Sequence, residues 1–427
     1  MADVNDDGSG GGHDPYAAFR VPAFRRYLAG YTLLRIGTAG QTIAILWEVS
    51  ERTGSAWGLT WVALAQAVPM LVLTLPAGVL ADRVDRRRLM VVGLLGASVT
   101  SVLLGVQSLL GASVLWMYAT LFLDACVLRM IWPARAALLP RLVPAEAFAN
   151  AVTWRSSLTQ VARLAGPAAG GVIIWLSVPA AYLVAAGSSL LFALLMAGLK
   201  ADTSPPPPQP GAARGFGSAV ADVREGLAFV WRRKVVLGAV SLDLFAVLFG
   251  GATYLLPIIA KDRLGVGEVG FGLLNAAPAA GAAATALVLA WLPPMRRAGR
   301  TMLWAVAGFG LATVVFGLST SFALSLGMLL LTGAFDNVSV VVRQTLIQLA
   351  TPDAMRGRVS AVSAIFIGSS NELGGVESTA VAGLFGPVVS VVSGGVGTLL
   401  VVATWAGLFP ELRRLGSLES AQDGPAR

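Results

Sequence analysis

Two long apolar runs, residues 57–81 and 89–107, flank a short polar stretch in which Asp82, Arg83, Asp85 and Arg86 to Arg88 fall together. Each run is close to or above the ~20 residues that a helix needs to cross ~30 Å of hydrocarbon, so the polar stretch is predicted as a tight turn at a membrane surface. The alternation continues in both directions. Further spans are predicted over 27–49, 114–131, 150–175 and 180–199, and then over 235–259, 271–292, 302–318, 322–342, 360–384 and 388–408. Runs this continuous are helices rather than barrel strands, because backbone N–H and C=O groups in lipid must be bonded within the span. The expected fold class is an all-α membrane protein with twelve transmembrane helices in two six-helix halves.

The polar gaps orient the chain. Four arginines, Arg83, Arg86, Arg87 and Arg88, crowd the turn after the second span, and an excess of Lys/Arg in short loops marks the cytoplasmic side. Arg20, Arg25 and Arg26 before the first span, Arg232 to Lys234 before the seventh, and Arg413 with Arg414 after the last agree with it. Both termini and the central connection are therefore expected in the cytoplasm. Residues 1–19, Gly- and Asp-rich, read as a disordered tail without the apolar core of a signal peptide. Residues 20–199 form the first half, and 200–234, with Pro205 to Pro208 and Pro210, a semi-rigid linker. Residues 235–409 form the second half and 410–427 a second tail. Residues 133–141 are expected to lead back along the inner surface.

Composition removes several function classes. Hydrophobic residues make up 56% and charged residues 13%, against roughly 25% charged in soluble domains, and the mean hydropathy is +0.74. The formal charge of +8 is read as topology and contact with anionic membrane lipid, with no nucleic-acid partner. Lysine occurs only at Lys200, Lys234 and Lys261, which excludes the phosphate-cradling G-x-x-x-x-G-K-[ST] loop. The one cysteine, Cys126, allows no intrachain disulfide, and the one histidine, His13, lies in the tail. No metal, no cofactor and no histidine-based catalysis are expected.

Ionisable groups inside spans are expensive and face a wet interior by default. Here they are Arg35 in the first span, Asp124 and Arg129 in the fourth, Arg155 and Arg163 in the fifth, Asp243 in the seventh, Asp336 in the tenth, and Glu372 with Glu377 in the eleventh. The third, sixth, ninth and twelfth spans have none. That period of three predicts a polar cavity, to which Gln41 and Asn337 would add. Trp132, Phe245 and Tyr254, with Trp47, could stack on a ligand or anchor at the interface. A proton carrier must change charge in the working pH range, as a carboxyl group does and arginine does not. The candidates are Asp124, then Asp336, then Asp243, Glu372 and Glu377, with Arg35 and Arg129 as partners; the alternative is that these charges merely neutralise one another.

The halves echo each other. Arg135 stands nine residues before Pro144 and Arg343 nine before Pro352, each at the end of the fourth span of its half. Repeated six-helix halves with substrate at the midplane are a transporter pattern.

Gly78-x-x-x-Asp82-Arg83-x-x-Arg86-Arg87 resembles the signature loop between helices 2 and 3 of the major facilitator superfamily, with Asp85 where that family usually has glycine. Gly166-Pro167-x-x-Gly170-Gly171 resembles the fifth-helix motif of antiporters in the superfamily, although Thr153 and Ala162 stand where glycine is frequent. Residues 133–144, 163–171 and 348–363 look like its drug and siderophore exporter branch. The resemblance implies a bacterial inner-membrane, monomeric, proton-driven exporter of a small amphipathic molecule working by alternating access. It implies that helices 1, 4, 7 and 10 line the cavity. It also implies a gate latch in which Gly78 permits close packing, Asp82 stabilises a helix N-terminus, and Asp82, with Arg83 and Arg86 beside it, braces spans four and eleven through Arg135. The bland alternatives are a topogenic basic loop and a glycine-rich packing kink. Import of a small metabolite, or a membrane enzyme or lipid scramblase, are the competing functions.

Overall fold

The computed structural model describes residues 14–199, 215–293 and 295–416. His13, the tail over 1–13, the proline run and residues 417–427 lie outside the described residues.

The first half comprises α1 Pro22–Thr53, α2 Ala56–Arg83, α3 Arg86–Leu109, α4 Val114–Leu142, α5 Ala145–Leu176 and α6 Val178–Ala197. A further helix, α7, covers Phe216–Arg232. The second half comprises α8, Lys234–Arg263, whose far end tightens and then widens into single turns, then α9 Glu268–Trp291, α10 Ala298–Leu318, α11 Phe322–Ala350, α12 Asp353–Phe385 and α13 Pro387–Leu408, before the short α14 Pro410–Arg414. Among the described residues there is no strand. Nine of these helices are long and apolar enough to cross a membrane. The three of the twelve that fall short, α1, α5 and α12, each carry charges within their length.

Local chemistry sets the turns. Gly54 and Gly111 take the left-handed conformation, with φ of 58° and 62°, where a side chain would be strained. Ser55 and Ser113 accept backbone N–H groups at the starts of α2 and α4. At the α2–α3 turn the capping residue is Asp85, whose carboxylate accepts from the Arg88 N–H at 2.8 Å. Asp82, expected in that role, sits inside the end of α2. The residue that departs from the family motif is thus the one that starts α3.

Four expectations are corrected. Residues 133–141 do not leave the fourth span: α4 runs on through Pro133 and Pro140 to Leu142, because Ile131, Ala134, Leu138, Leu139 and Leu142 remain buried in one cluster with α1 and α3. Residues 14–20 pack on α5, with the Tyr16 ring stacked on Trp154 at 5.8 Å and the Asn150 and Trp154 side chains donating to the Pro15 carbonyl, each at 2.8 Å. Half of the expected linker is α7. Its Phe216, Val220, Val223, Leu227 and Val230 recur at helical spacing, its Gly226 meets the α12 backbone, and Arg358 of α12 donates to Asp222 and Glu225, both at 2.8 Å. Finally, Gly78 allows no close helix approach, since a Cβ there would meet nothing within 4 Å.

Small residues do set the crossings of α5. A Cβ on Gly166 would lie 2.6 Å from Ala39, one on Gly170 2.9 Å from the Gly40 Cα of α1, and one on Gly171 2.8 Å from the Gly272 Cα of α9. The Gly171–Gly272 crossing joins the two halves by near-backbone contact. Close by, the Trp47 and Phe271 rings lie 5.3 Å apart and Lys261 reaches Glu51 at 3.3 Å. The halves are therefore closed together at the end opposite the α2–α3 turn.

Candidate functional site

Between the halves lies a cavity of about 570 Å³. Its wall takes Arg35, Thr38 and Gln41 from α1, Gln66 from α2, Asp124, Arg129, Trp132 and Arg135 from α4, and Gln160, Arg163 and Pro167 from α5; the second half supplies Thr253, Asn275, Pro278 and Asp336. None of the lining comes from α3, α6, α10 or α13, the helices of the third, sixth, ninth and twelfth spans. A second cavity of about 960 Å³ lies between α2, α4, α7 and α12, and shares Arg129 and Trp132 with the first. Its lining is mostly apolar, with Met70, Leu75, Val79 and Ile365 among the residues.

Asp124 is held by neutral groups. The Gln41 amide donates to one carboxylate oxygen at 3.0 Å and the Thr100 hydroxyl to the other at 2.5 Å, while Ser101 donates to the Gln41 carbonyl at 2.6 Å. Its expected partners, Arg35 and Arg129, do not reach it. Five residues along a helix turn a side chain by about 140°, so Arg129 leaves on another face of α4. It crosses instead to the second half and donates to Glu372 at 2.9 Å, and the other Glu372 oxygen accepts from the Tyr254 hydroxyl at 3.1 Å.

Asp336 stands on the opposite wall, facing Arg163 of α5 without closing to an ion pair among the described residues. Asp243 is placed differently from the expectation for a cavity carboxylate. It is paired with Arg343 inside the second half, away from the cavity, and the two residues are only 4% and 2% exposed. Glu377 is also outside the lining and accepts from the adjoining Ser378 hydroxyl. Phe245, expected in the cavity, packs on Trp405 of α13 at 5.3 Å instead. Asn337 lies outside the lining with a buried amide nitrogen that has no partner. Trp132, 47% exposed, opens onto both cavities.

The expected latch is not assembled. Gly78, Asp82 and Arg83 line the second cavity, whereas Arg135 lies in the first, its guanidinium 5.3 Å above the Tyr31 ring. The α2–α3 turn is tied down by other bonds: Arg86 donates to the Ala137 carbonyl of α4 at 3.3 Å, and Arg87 to the Met196 carbonyl of α6 at 2.9 Å.

Glu48 escaped sequence reasoning. Only 5% exposed, it accepts from Ser108 of α3 at 2.7 Å, from Tyr182 of α6 at 2.7 Å, and pairs with Arg52 at 2.5 Å. An acid followed four residues later by a base at the end of an apolar run was the available signal. Gln66 and Asn275 were likewise visible as lone polar residues within apolar runs.

A polar cavity clasped between two six-helix halves, with its ionisable groups at mid-span, is the build of a secondary transporter. The sequence matches the family model of the Major Facilitator Superfamily over residues 27–375. The chain belongs to that superfamily, and is a multi-pass membrane transporter rather than an enzyme. Among its relatives is the Enterobactin exporter EntS of Shigella boydii serotype 18, 27% identical over 404 residues, which span 92% of this chain and 93% of the relative. The protein of that name from Escherichia coli O157:H7 is 26% identical over the same coverage. Of solved structures, a bacterial homolog of the human lysosomal transporter Spinster, in an inward-facing and occupied conformation, matches with a TM-score of 0.70 at 14% identity, over 94% of this chain and 99% of that one. The nucleoside transporter NupG matches with 0.71 at 9% identity, over 90% and 100%. At these identities the structural likeness is one of fold.

Proposed function

We propose that the protein exports a small amphipathic molecule from the bacterial cytoplasm by alternating access, driven by protons entering through the inner membrane. The observation that carries this reading is the pair Asp124 and Asp336, one from each half, both on the wall of a cavity between halves that are joined at the end of the Lys261–Glu51 pair. With the arginine-rich α2–α3 turn in the cytoplasm, the closed end is outside, both termini are inside and the cavity belongs to an inward-facing state. The relatives named as exporters favour outward transport. The larger, mostly apolar cavity meets the polar one at Arg129 and Trp132, which suits a molecule with an apolar body and a polar head.

In this reading a proton taken up from outside in the outward-open state neutralises Asp336 and removes its attraction for Arg163 on the facing wall, so the halves are freed to close outside and separate at the inner end. Release of that proton inside restores the attraction. Asp124, bonded by Gln41 and Thr100, alters the packing of α1, α3 and α4 when it changes charge.

Inverted membrane vesicles with an imposed proton gradient test it. Asp336→Asn and Asp124→Asn should lower gradient-driven transport by about tenfold or more, about 1.4 kcal/mol of barrier, while gradient-independent exchange of substrate persists. Full gradient-driven transport in both variants would refute the assignment and direct attention to Glu372 and Glu377. Reporters fused at 211 and 265 check the orientation: a cytoplasm-active enzyme should work at the first and fail at the second.

A further inference from the structure

Several arginines within the bundle have a counter-group. Arg52 pairs with Glu48, Arg129 with Glu372 and Arg343 with Asp243, and Arg86 donates to a backbone carbonyl. Arg35 and Arg135 do not fit this pattern. Both line the central cavity, one from α1 and one from α4. The Arg35 Nε is buried without a hydrogen-bond partner, as are those of Arg86 and Arg343, but Arg35 has in addition no ion pair among the described residues. The groups around Arg135 are Tyr27, Tyr31, Arg35 and Arg155, with no carboxylate among them. The Tyr31 ring beneath its guanidinium supplies only a cation–π contact.

Charges of one sign gathered in a membrane-embedded cavity repel one another and are costly there. Beside them the Tyr27 and Tyr31 rings stack 5.9 Å apart and bring no negative charge to the wall. The cavity wall as a whole holds Arg35, Arg129, Arg135 and Arg163 against Asp124 and Asp336, and Arg129 is already matched by Glu372. The surplus is positive and lies on the wall of the first half.

We propose that Arg35 and Arg135 form an anion subsite, and that the transported molecule is an organic anion whose head group offers at least two acceptor oxygens. A guanidinium is a planar fork of N–H donors that matches such a head, whether carboxylate or phosphate ester, and it keeps its charge at any working pH. A neighbouring cation would be rejected by the same field. The inference deepens the transport reading and rests on it, but its test needs no gradient and no turnover.

Purified full-length protein in detergent is titrated against carboxyfluorescein, an aromatic polyanion, and against rhodamine 6G, a cation of similar size, with binding read by fluorescence anisotropy. Carboxyfluorescein should bind, more weakly as salt is added, and should be displaced by benzoate or phenyl phosphate. Arg35→Gln and Arg135→Gln should each weaken it by about tenfold or more, whereas Arg35→Lys should retain part of the affinity. Size-exclusion profiles identify a variant that fails to fold, and either Gln variant alone suffices. The proposal is overturned if the wild type does not bind carboxyfluorescein, if a folded Gln variant binds it as tightly as the wild type, if rhodamine 6G is preferred, or if only phosphatidylglycerol micelles displace the dye. Loss of proton-driven transport in the aspartate variants with anion binding intact would leave the subsite standing, and anion binding lost with proton-driven transport of a cation intact would sink the subsite alone.

Discussion

The two halves treat the same pair of groups in opposite ways. Near the end of α11, Arg343 is buried and neutralised by Asp243 within the second half. At the matching position of α4, nine residues before the corresponding proline, Arg135 rests on Tyr31 and faces the cavity. For the carboxylates the treatment is reversed. Asp124 in the first half is fixed by Gln41 and Thr100, while Asp336 in the second half has only Arg163 across the cavity. Each half thus holds one locked group and one available group, with the signs exchanged, although only the arginines stand at matching positions: Asp124 lies 11 residues before Arg135 and Asp336 lies 7 before Arg343.

The strongest way to break this comparison is Asp243→Asn. It strands Arg343 in the second half and should cost about 3–5 kcal/mol, seen as loss of the folded peak or a large drop in the detergent melting temperature. Asp243→Leu with Arg343→Met should recover most of that loss. Arg135→Gln removes a cation with no carboxylate partner and should change the melt far less, even though it weakens anion binding. If the two single variants destabilise equally, the halves do not differ as described.

Next in size is the seam. Gly171→Val would push a side chain into the Gly272 backbone and should cost about 1–3 kcal/mol by overpacking, with slowed transport in vesicles. Gly78→Ala, at a glycine with open space around it, should stay within about 0.5 kcal/mol of wild type in the same melt. The smallest effect is expected from Lys261→Ala, which removes a half-exposed ion pair between the halves and should change the melt by no more than about 1 kcal/mol.

The sequence made the helices legible because lipid imposes length and hydrophobicity on each span. The period of three in the charges marked α3, α6, α10 and α13 as helices outside the lining, but not that α2, α5 and α9 join the cavity wall. Individual partnerships were not legible. That Asp124 meets Gln41 and not Arg129 depends on the rotation of α4 against α1, and that Phe245 packs on Trp405 depends on how α8 meets α13. The end of α4 was not legible because the buried face that carries the helix past Pro133 and Pro140 to Leu142 is defined only by its packing on α1 and α3. The α7 helix was hidden by the proline run before it, although its apolar spacing was readable. Glu48 was passed over at the edge of a span, and its partners Ser108 and Tyr182 lie on α3 and α6.

Glu48 and Arg52 also bear on how the protein is made. They stand four residues apart on α1, so the ion pair closes within one helix as soon as that helix forms. Because α1 precedes α3 and α6 in the chain, it enters the bilayer with these two charges already cancelled, before Ser108 or Tyr182 has been synthesised. When α3 and α6 follow, their hydroxyls find the carboxylate waiting in a fixed direction and bond to it. The pair that eases insertion of α1 becomes the peg on which the third and sixth helices are hung, and Glu48→Gln should show itself first as poor membrane insertion and incomplete assembly of newly made chains.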